Sequence, residues 1–186
     1  MASAFSHAIA AIGLGKVFKP DHEGSNKGID WKFWLAGAFC AVIPDADAIG
    51  FKLGVPYDSI WGHRGITHSL FFALLLAVVV MLLLYRTYKP SEPKWWLYLL
   101  FFFVCTASHP VLDAMTTGGL GVAFFAPFNN TRYFFPFRPI AVSPIGVTQF
   151  FSTWGLRVIK SELLWVWLPS GVLFTIAAVI RRLLRP

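Results

Sequence analysis

Trp61-Gly62-His63-Arg64-Gly65-Ile66-Thr67-His68-Ser69 sets two imidazoles, a guanidinium and two hydroxyls at the mouth of the apolar run 66–85 (ITHSLFFALLLAVVVMLLLY). That run carries no Asp, Glu, Lys or Arg, and its 20 residues match the length a helix needs to cross a bilayer core. Its reading decides the fold. Polar groups at the edge of a membrane helix are costly unless other helix ends bring partners to them. The rest of the chain agrees with lipid as the solvent. Only 13% of residues are charged and 56% are hydrophobic, whereas soluble domains carry about 25% charged residues. The net charge of +7 comes from Lys and Arg that mostly stand singly beside apolar runs. They read as orientation signals, and no nucleic-acid partner is expected.

Working outward, residues 2–18 form an apolar, small-residue helix that ends at Lys16, Lys19 and Pro20, before the polar stretch 20–30. Residues 31–43 form a second apolar segment, closed by Pro44. Both are short for a full span and read as half-length or re-entrant helices shielded by the others. Beyond the central run lie a short basic loop, 86–94, and a span at 95–112 opened by Trp95 and Trp96. The aromatic, Pro/Gly-rich region of about 114–160 is too irregular for lipid and too apolar to float free, so it is expected to cover the site at the interface. A last span at about 163–180 ends in Arg181, Arg182 and Arg185. The expectation is an all-α, multi-pass helical bundle forming a single integral membrane domain over residues 1–186. It has three long transmembrane helices, two short N-terminal ones and an irregular interfacial region.

Lys16, Lys19, Lys27 and Lys32 fall in one connection, Arg86, Lys89 and Lys94 in another, and Arg181, Arg182 and Arg185 at the end. Alternating crossings put all three groups on one side, which the positive-inside rule makes cytoplasmic. His7, Asp45, Asp47, His63, His68, His109 and Asp113 then gather at the outer face. Seven potential ligands converge there, although the charge rule never consulted them.

Asp45 and Asp47, in PDAD, share one side if the stretch is extended; the plainer reading is turn or capping chemistry. His109 and Asp113 lie four apart on one helical face and suit a divalent ion. His63 and His68 flank Arg64-Gly65, where Gly65 allows close backbone approach or positive φ. Arg64 stands either against developing negative charge or in an ion pair with an aspartate. Thr67 or Ser69 serves as a helix cap. Thr116 and Thr117 follow Asp113 as supporting donors or as a helix stop. Arg132 and Arg138 offer a phosphate or headgroup contact, or simple interfacial anchoring. His22 lies in the polar loop and is excluded. Cys40 and Cys105 read as core residues, and no G-x-S-x-G, Walker or dinucleotide fingerprint is present.

His7, Pro44-Asp45-Ala46-Asp47, His63-Arg64-Gly65-Ile66-Thr67-His68-Ser69 and His109 to Asp113 together resemble the YdjM-type, LexA-regulated inner-membrane family, described as metal-dependent hydrolases. The resemblance runs from about residue 7 to about 146. A remoter similarity, carried by the scattered His and Asp residues and the H-x-x-x-D pair, is to zinc-dependent phospholipases C. It implies two or three zinc ions. The combined expectation is a hydrolase of the bacterial inner membrane, with its site toward the outer, periplasmic face. Its cofactor is a divalent metal, zinc first, with manganese or iron as alternatives. The seven His and Asp residues are its ligands, Asp45 or Asp47 acts as general base, and Arg64 stabilises charge. The expected substrate is a membrane lipid or lipid-linked molecule, held by Arg64, Arg132 and Arg138. A phosphoester is the first choice of bond and an acyl or amide bond the second. A non-catalytic metal-binding or transport protein is the rival. No obligate protein partner is evident.

Overall fold

Apolar runs bounded by Pro, Gly and basic residues produce helices, and a computed structural model describing residues 1–18 and 30–184 is all-helical apart from two isolated bridges. Helix α1 spans Ala4–Phe18, and α2 spans Trp31–Val42, its N-terminus capped by Asp30 accepting from Phe33 N. Pro44 does not close this segment. It stands early in a 3-10 turn, Ile43–Ala48, where its missing N–H costs little. The chain stays helical into α3 (Ile49–Lys52), making one apolar stretch of 22 residues.

The central run is shorter than expected. Ile66–His68 is a 3-10 turn, and Ser69 caps the 15-residue α4 (Leu70–Leu84) by accepting from Phe72 N at 3.0 Å. Helix α5 (Pro93–Ala114) holds its line through Pro110. The region after it is irregular to the short α6 (Val147–Phe150), but α7 begins at Thr153, inside the span expected to be a covering loop. It runs through Glu162 and a π turn, Leu163–Trp167, into α8 (Leu168–Leu183). Among the described residues, three helical stretches are long and apolar enough to cross a membrane: Trp31–Lys52, Pro93–Ala114 and Thr153–Leu183. The number matches the sequence expectation. The membership differs, with the second segment long and the fourth helix short. The expectations for Lys19, Pro20, His22, Lys27 and Arg185 lie outside the described residues.

Packing follows small and aromatic side chains. Helix α5 is central, against α1, α2 and α4, while α8 lies on the far side of α1. Phe33 and Phe101 stack at 4.2 Å between ring centroids among Cys40, Cys105, Met81 and Phe102, all fully buried. Cys40 and Cys105 are unbridged. The outer faces of α4 and α8 expose Leu74, Leu75, Leu82, Leu83, Leu168, Ile176, Val179 and Leu183. A contiguous apolar exterior of this kind suits lipid rather than water.

Lys16, Lys32, Lys94 and Arg181 gather at one end. Arg181 donates to the Val17 carbonyl, Lys32 donates to the Leu84 carbonyl, and Lys94 lies over the Tyr88 ring. The start of α1, the PDAD turn, the start of α4 and the end of α5 meet at the other end.

Candidate metal centre

The helix ends deliver their ligands by different local devices. In a 3-10 turn each residue advances about 120°, so positions two apart point to different sides. Asp45 and Asp47 therefore diverge rather than sharing the face an extended strand would give them. Asp45 turns toward His109 Nε2 at 3.3 Å and His68 Nε2 at 3.6 Å. Asp47 turns toward His63 Nδ1 at 2.7 Å and His68 Nδ1 at 3.2 Å. His109 and Asp113 share a face of α5, as their spacing requires, and both are fully buried.

Two groups of potential ligand atoms result, Asp45–His68–His109–Asp113 and Asp47–His63–His68. In the first, His109 donates from Nδ1 to the Ala41 carbonyl at 2.7 Å, which leaves Nε2 to face His68 Nε2 at 3.1 Å. His68 Nε2 lies 3.6 Å from Asp113 Oδ2. Asp45 Oδ1, Asp45 Oδ2 and Asp113 Oδ2 are buried and make no hydrogen bond. Buried polar atoms seldom lack a partner, and here they converge on one another. Their donor-to-donor separations of 3.1–3.6 Å suit atoms sharing one ion. Four ligands about 2.0–2.1 Å from a tetrahedral zinc stand roughly 3.3–3.4 Å apart. The donor set, imidazole with carboxylate, fits such an ion.

His7 completes one side. Its ring stacks on His109 at 3.6 Å, its Nε2 lies 3.5 Å from Asp113 Oδ1, and neither ring nitrogen has a hydrogen-bond partner.

Of the two readings of Arg64, the structure shows the ion pair. The side chain is fully buried, with Nε 3.0 Å from Asp113 Oδ2 though poorly aligned for a hydrogen bond. Its other nitrogens donate to the Gly118 carbonyl at 2.9 Å and to Thr116 Oγ1 at 3.0 Å. It is Arg64, at φ 62°, that takes the left-handed conformation. Gly65 has negative φ and serves close approach, since a Cβ there would lie 2.2 Å from the Ile60 carbonyl oxygen.

Thr67 does not cap α4; it donates to Asp47 Oδ2 at 2.5 Å. Thr116 belongs to the Arg64 network, whereas Thr117 is exposed and accepts from Val142 N. Arg132 is not a free headgroup contact. Its guanidinium donates to the carbonyls of Tyr57, Ser59 and His63, at 2.8, 3.1 and 2.9 Å, tying the loop before His63 to the covering segment. Burial lowers its pKa from the usual arginine value. Arg138 is exposed, over the Phe134 ring at 4.7 Å.

The sequence reading passed over Glu162. It is fully buried at the start of the π turn and accepts from Ser3 N at 2.5 Å and Ser3 Oγ at 2.6 Å. The neighbouring Ala2 N donates to Asp113 Oδ1 at 2.7 Å. A signal was there to find: Glu162 is the only acidic residue after Asp113, and it stands at the mouth of an apolar run.

Fold and site together define an all-helical membrane protein with a buried His/Asp cluster at one end of its bundle. The comparisons agree: the chain belongs to the YdjM inner membrane protein family, whose match covers residues 1–184. It is 37% identical over 175 residues to inner membrane protein YbcI of Escherichia coli strain K12, covering 93% of this chain and 95% of that relative. No solved structure matches. The similarity to zinc-dependent phospholipases C is not shown by these comparisons. The chain is thus an inner-membrane protein with residue groups suited to a metal ion.

Proposed function

We propose that the protein is a metal-dependent hydrolase of the inner membrane, cleaving a phosphoester in a lipid or lipid-linked substrate near the outer face. The observation that carries it is the convergence of buried Asp45 oxygens and Asp113 Oδ2, none of them hydrogen-bonded, on His68 and His109. Asp45, His68, His109 and Asp113 would hold a divalent ion, zinc first, which would supply a nucleophilic water near neutral pH and polarise the scissile group. Arg64 is spoken for by Asp113 and Thr116, so its task is to balance and aim that carboxylate. Asp45, about 9% exposed at its side chain where the two histidines and Asp113 are sealed, lies on the side of the centre nearest the surface. His7, without a hydrogen-bond partner and packed on His109, is the group placed to accept or return a proton.

An amphiphilic substrate is supported by the surroundings. An apolar groove of about 420 Å³ lined by Leu70, Phe71, Leu74, Phe103, Phe124 and Phe128 begins directly after Ser69. Exposed Phe128 stands at that groove, whose apolar lining suits an acyl chain. Near-complete enclosure of the four ligands favours a second reading, a non-catalytic metal-binding or transport protein, because structural ion sites are closed while catalytic ones keep an open position.

Turnover separates the two. Purified protein in lipid vesicles is given phospholipids and acylated lipids, with and without chelation and metal return. Metal-dependent release of a phosphorylated headgroup supports the phosphoesterase. Fatty-acid release shifts the bond to acyl, and metal binding without turnover of any lipid favours the second reading.

A further inference from the structure

The two groups of ligand atoms differ in whether their lone pairs are free. Asp113 accepts from Ala2 N at Oδ1 and ion-pairs Oδ2 with Arg64 Nε at 3.0 Å without a hydrogen bond, and Asp45 leaves both oxygens without one. Asp47 instead has both oxygens engaged in hydrogen bonds. Its Oδ1 is bonded to His63 Nδ1 at 2.7 Å, and its Oδ2 accepts from Thr67 Oγ1 at 2.5 Å and Arg64 N at 3.3 Å and lies 3.2 Å from His68 Nδ1. A separation of 2.7 Å is a hydrogen bond, and it is shorter than the roughly 3.3 Å edge expected between two ligands of one tetrahedral ion.

Charge counts the same way. Asp45, Asp47, Asp113 and the nearby Glu162 contribute four negative charges, and Arg64 and the buried Met1 amino group two positive. With neutral imidazoles, the remainder of two negative charges is the complement of one divalent cation. A second ion would leave a buried excess of positive charge, which a low-dielectric site holds only at a cost or with an added anion.

Building on the metal-centre reading, we infer that Asp47 and His63 are positioning residues rather than ligands, and that the centre holds one divalent ion, among Asp45, His68, His109 and Asp113. Asp47 Oδ2 at 3.2 Å and Thr67 Oγ1 at 3.1 Å flank His68 Nδ1, which fixes the ring so that Nε2 faces the ion, while His63 and Thr67 fix Asp47 in turn. This is the carboxylate–histidine–metal arrangement, whose outer partners typically change affinity by 10–100-fold when removed.

The test is stoichiometry. Chelator-stripped full-length protein in detergent is titrated with Zn²⁺ by calorimetry and with Co²⁺ by visible absorption, as wild type, Asp47→Asn and His63→Ala. Thermal unfolding of the stripped forms shows whether each variant is folded. The expected result is one ion per chain in all three, with about 10–100-fold weaker binding in Asp47→Asn and an altered cobalt band. Two ions per chain in wild type, with one lost in Asp47→Asn, overturns the inference and leaves the hydrolase standing. No ion in wild type overturns both. If Asp47→Asn does not fold, the wild-type stoichiometry decides alone.

Discussion

The two ends of the bundle handle charge in opposite ways. At the end carrying the centre, Arg64, His68, His109 and Asp113 are fully buried, and each charge is answered by a named neighbour or left facing other ligands. At the other end, Lys16, Lys32, Lys94 and Arg181 stand at or near the surface and rest on helix-end carbonyls or aromatic rings. The difference teaches what each end is for. Exposed cations satisfied by water and headgroups set orientation, and any one of them is replaceable. Buried carboxylates and imidazoles that face one another without hydrogen bonds suit a bound cation.

Substitutions at the two ends should therefore differ in size. Arg64→Ala leaves Asp113 buried without its partner, and thermal or denaturant unfolding should register a loss of about 3–5 kcal/mol. A loss below about 1 kcal/mol would mean the pair is far better solvated than its burial implies. Ser69→Ala removes the cap of α4 and should cost about 1 kcal/mol, read by the same unfolding assay. Lys32→Ala, at the basic end, should lie within about 0.5 kcal/mol of wild type. A cost equal to that of Arg64→Ala would erase the contrast.

Two further measurements sharpen it. Metal loading at the centre should fall on acidification, because imidazole ligands must be deprotonated to bind and binding releases protons. Zinc affinity measured across mildly acidic to neutral pH should rise with pH, and a flat profile would point away from histidine ligation. In intact cells, a cysteine at Arg138→Cys should react with a membrane-impermeant thiol reagent, while Lys32→Cys should react only after permeabilisation. The reverse pattern would turn the centre toward the cytoplasm.

Much of this contrast was legible in the sequence, for a physical reason. Ionisable residues at the edges of apolar runs are expensive, so His7, His68, His109 and Asp113 announced themselves, and a rule that counts only Lys and Arg sent them to one end. What escaped notice depended on local geometry that the residue types do not encode. PDAD reads equally well as a turn or a strand, and only its 3-10 winding aims Asp45 and Asp47 at different partners. Pro44 looked like a stop but occupies a position where no N–H is needed. Arg132 looked like a headgroup contact, and its commitment to Tyr57, Ser59 and His63 carbonyls arises only from tertiary folding. Glu162 was legible as a lone acid beside an apolar run, yet its partner Ser3 lies 159 residues away.

Elemental analysis of the purified membrane protein tests the central claim most directly. Wild type should carry close to one equivalent of a divalent transition metal per chain, and folded His68→Ala and Asp113→Ala should carry almost none. Wild type and both variants alike near zero, after purification without chelators and dialysis against zinc, manganese and iron, would contradict the metal centre.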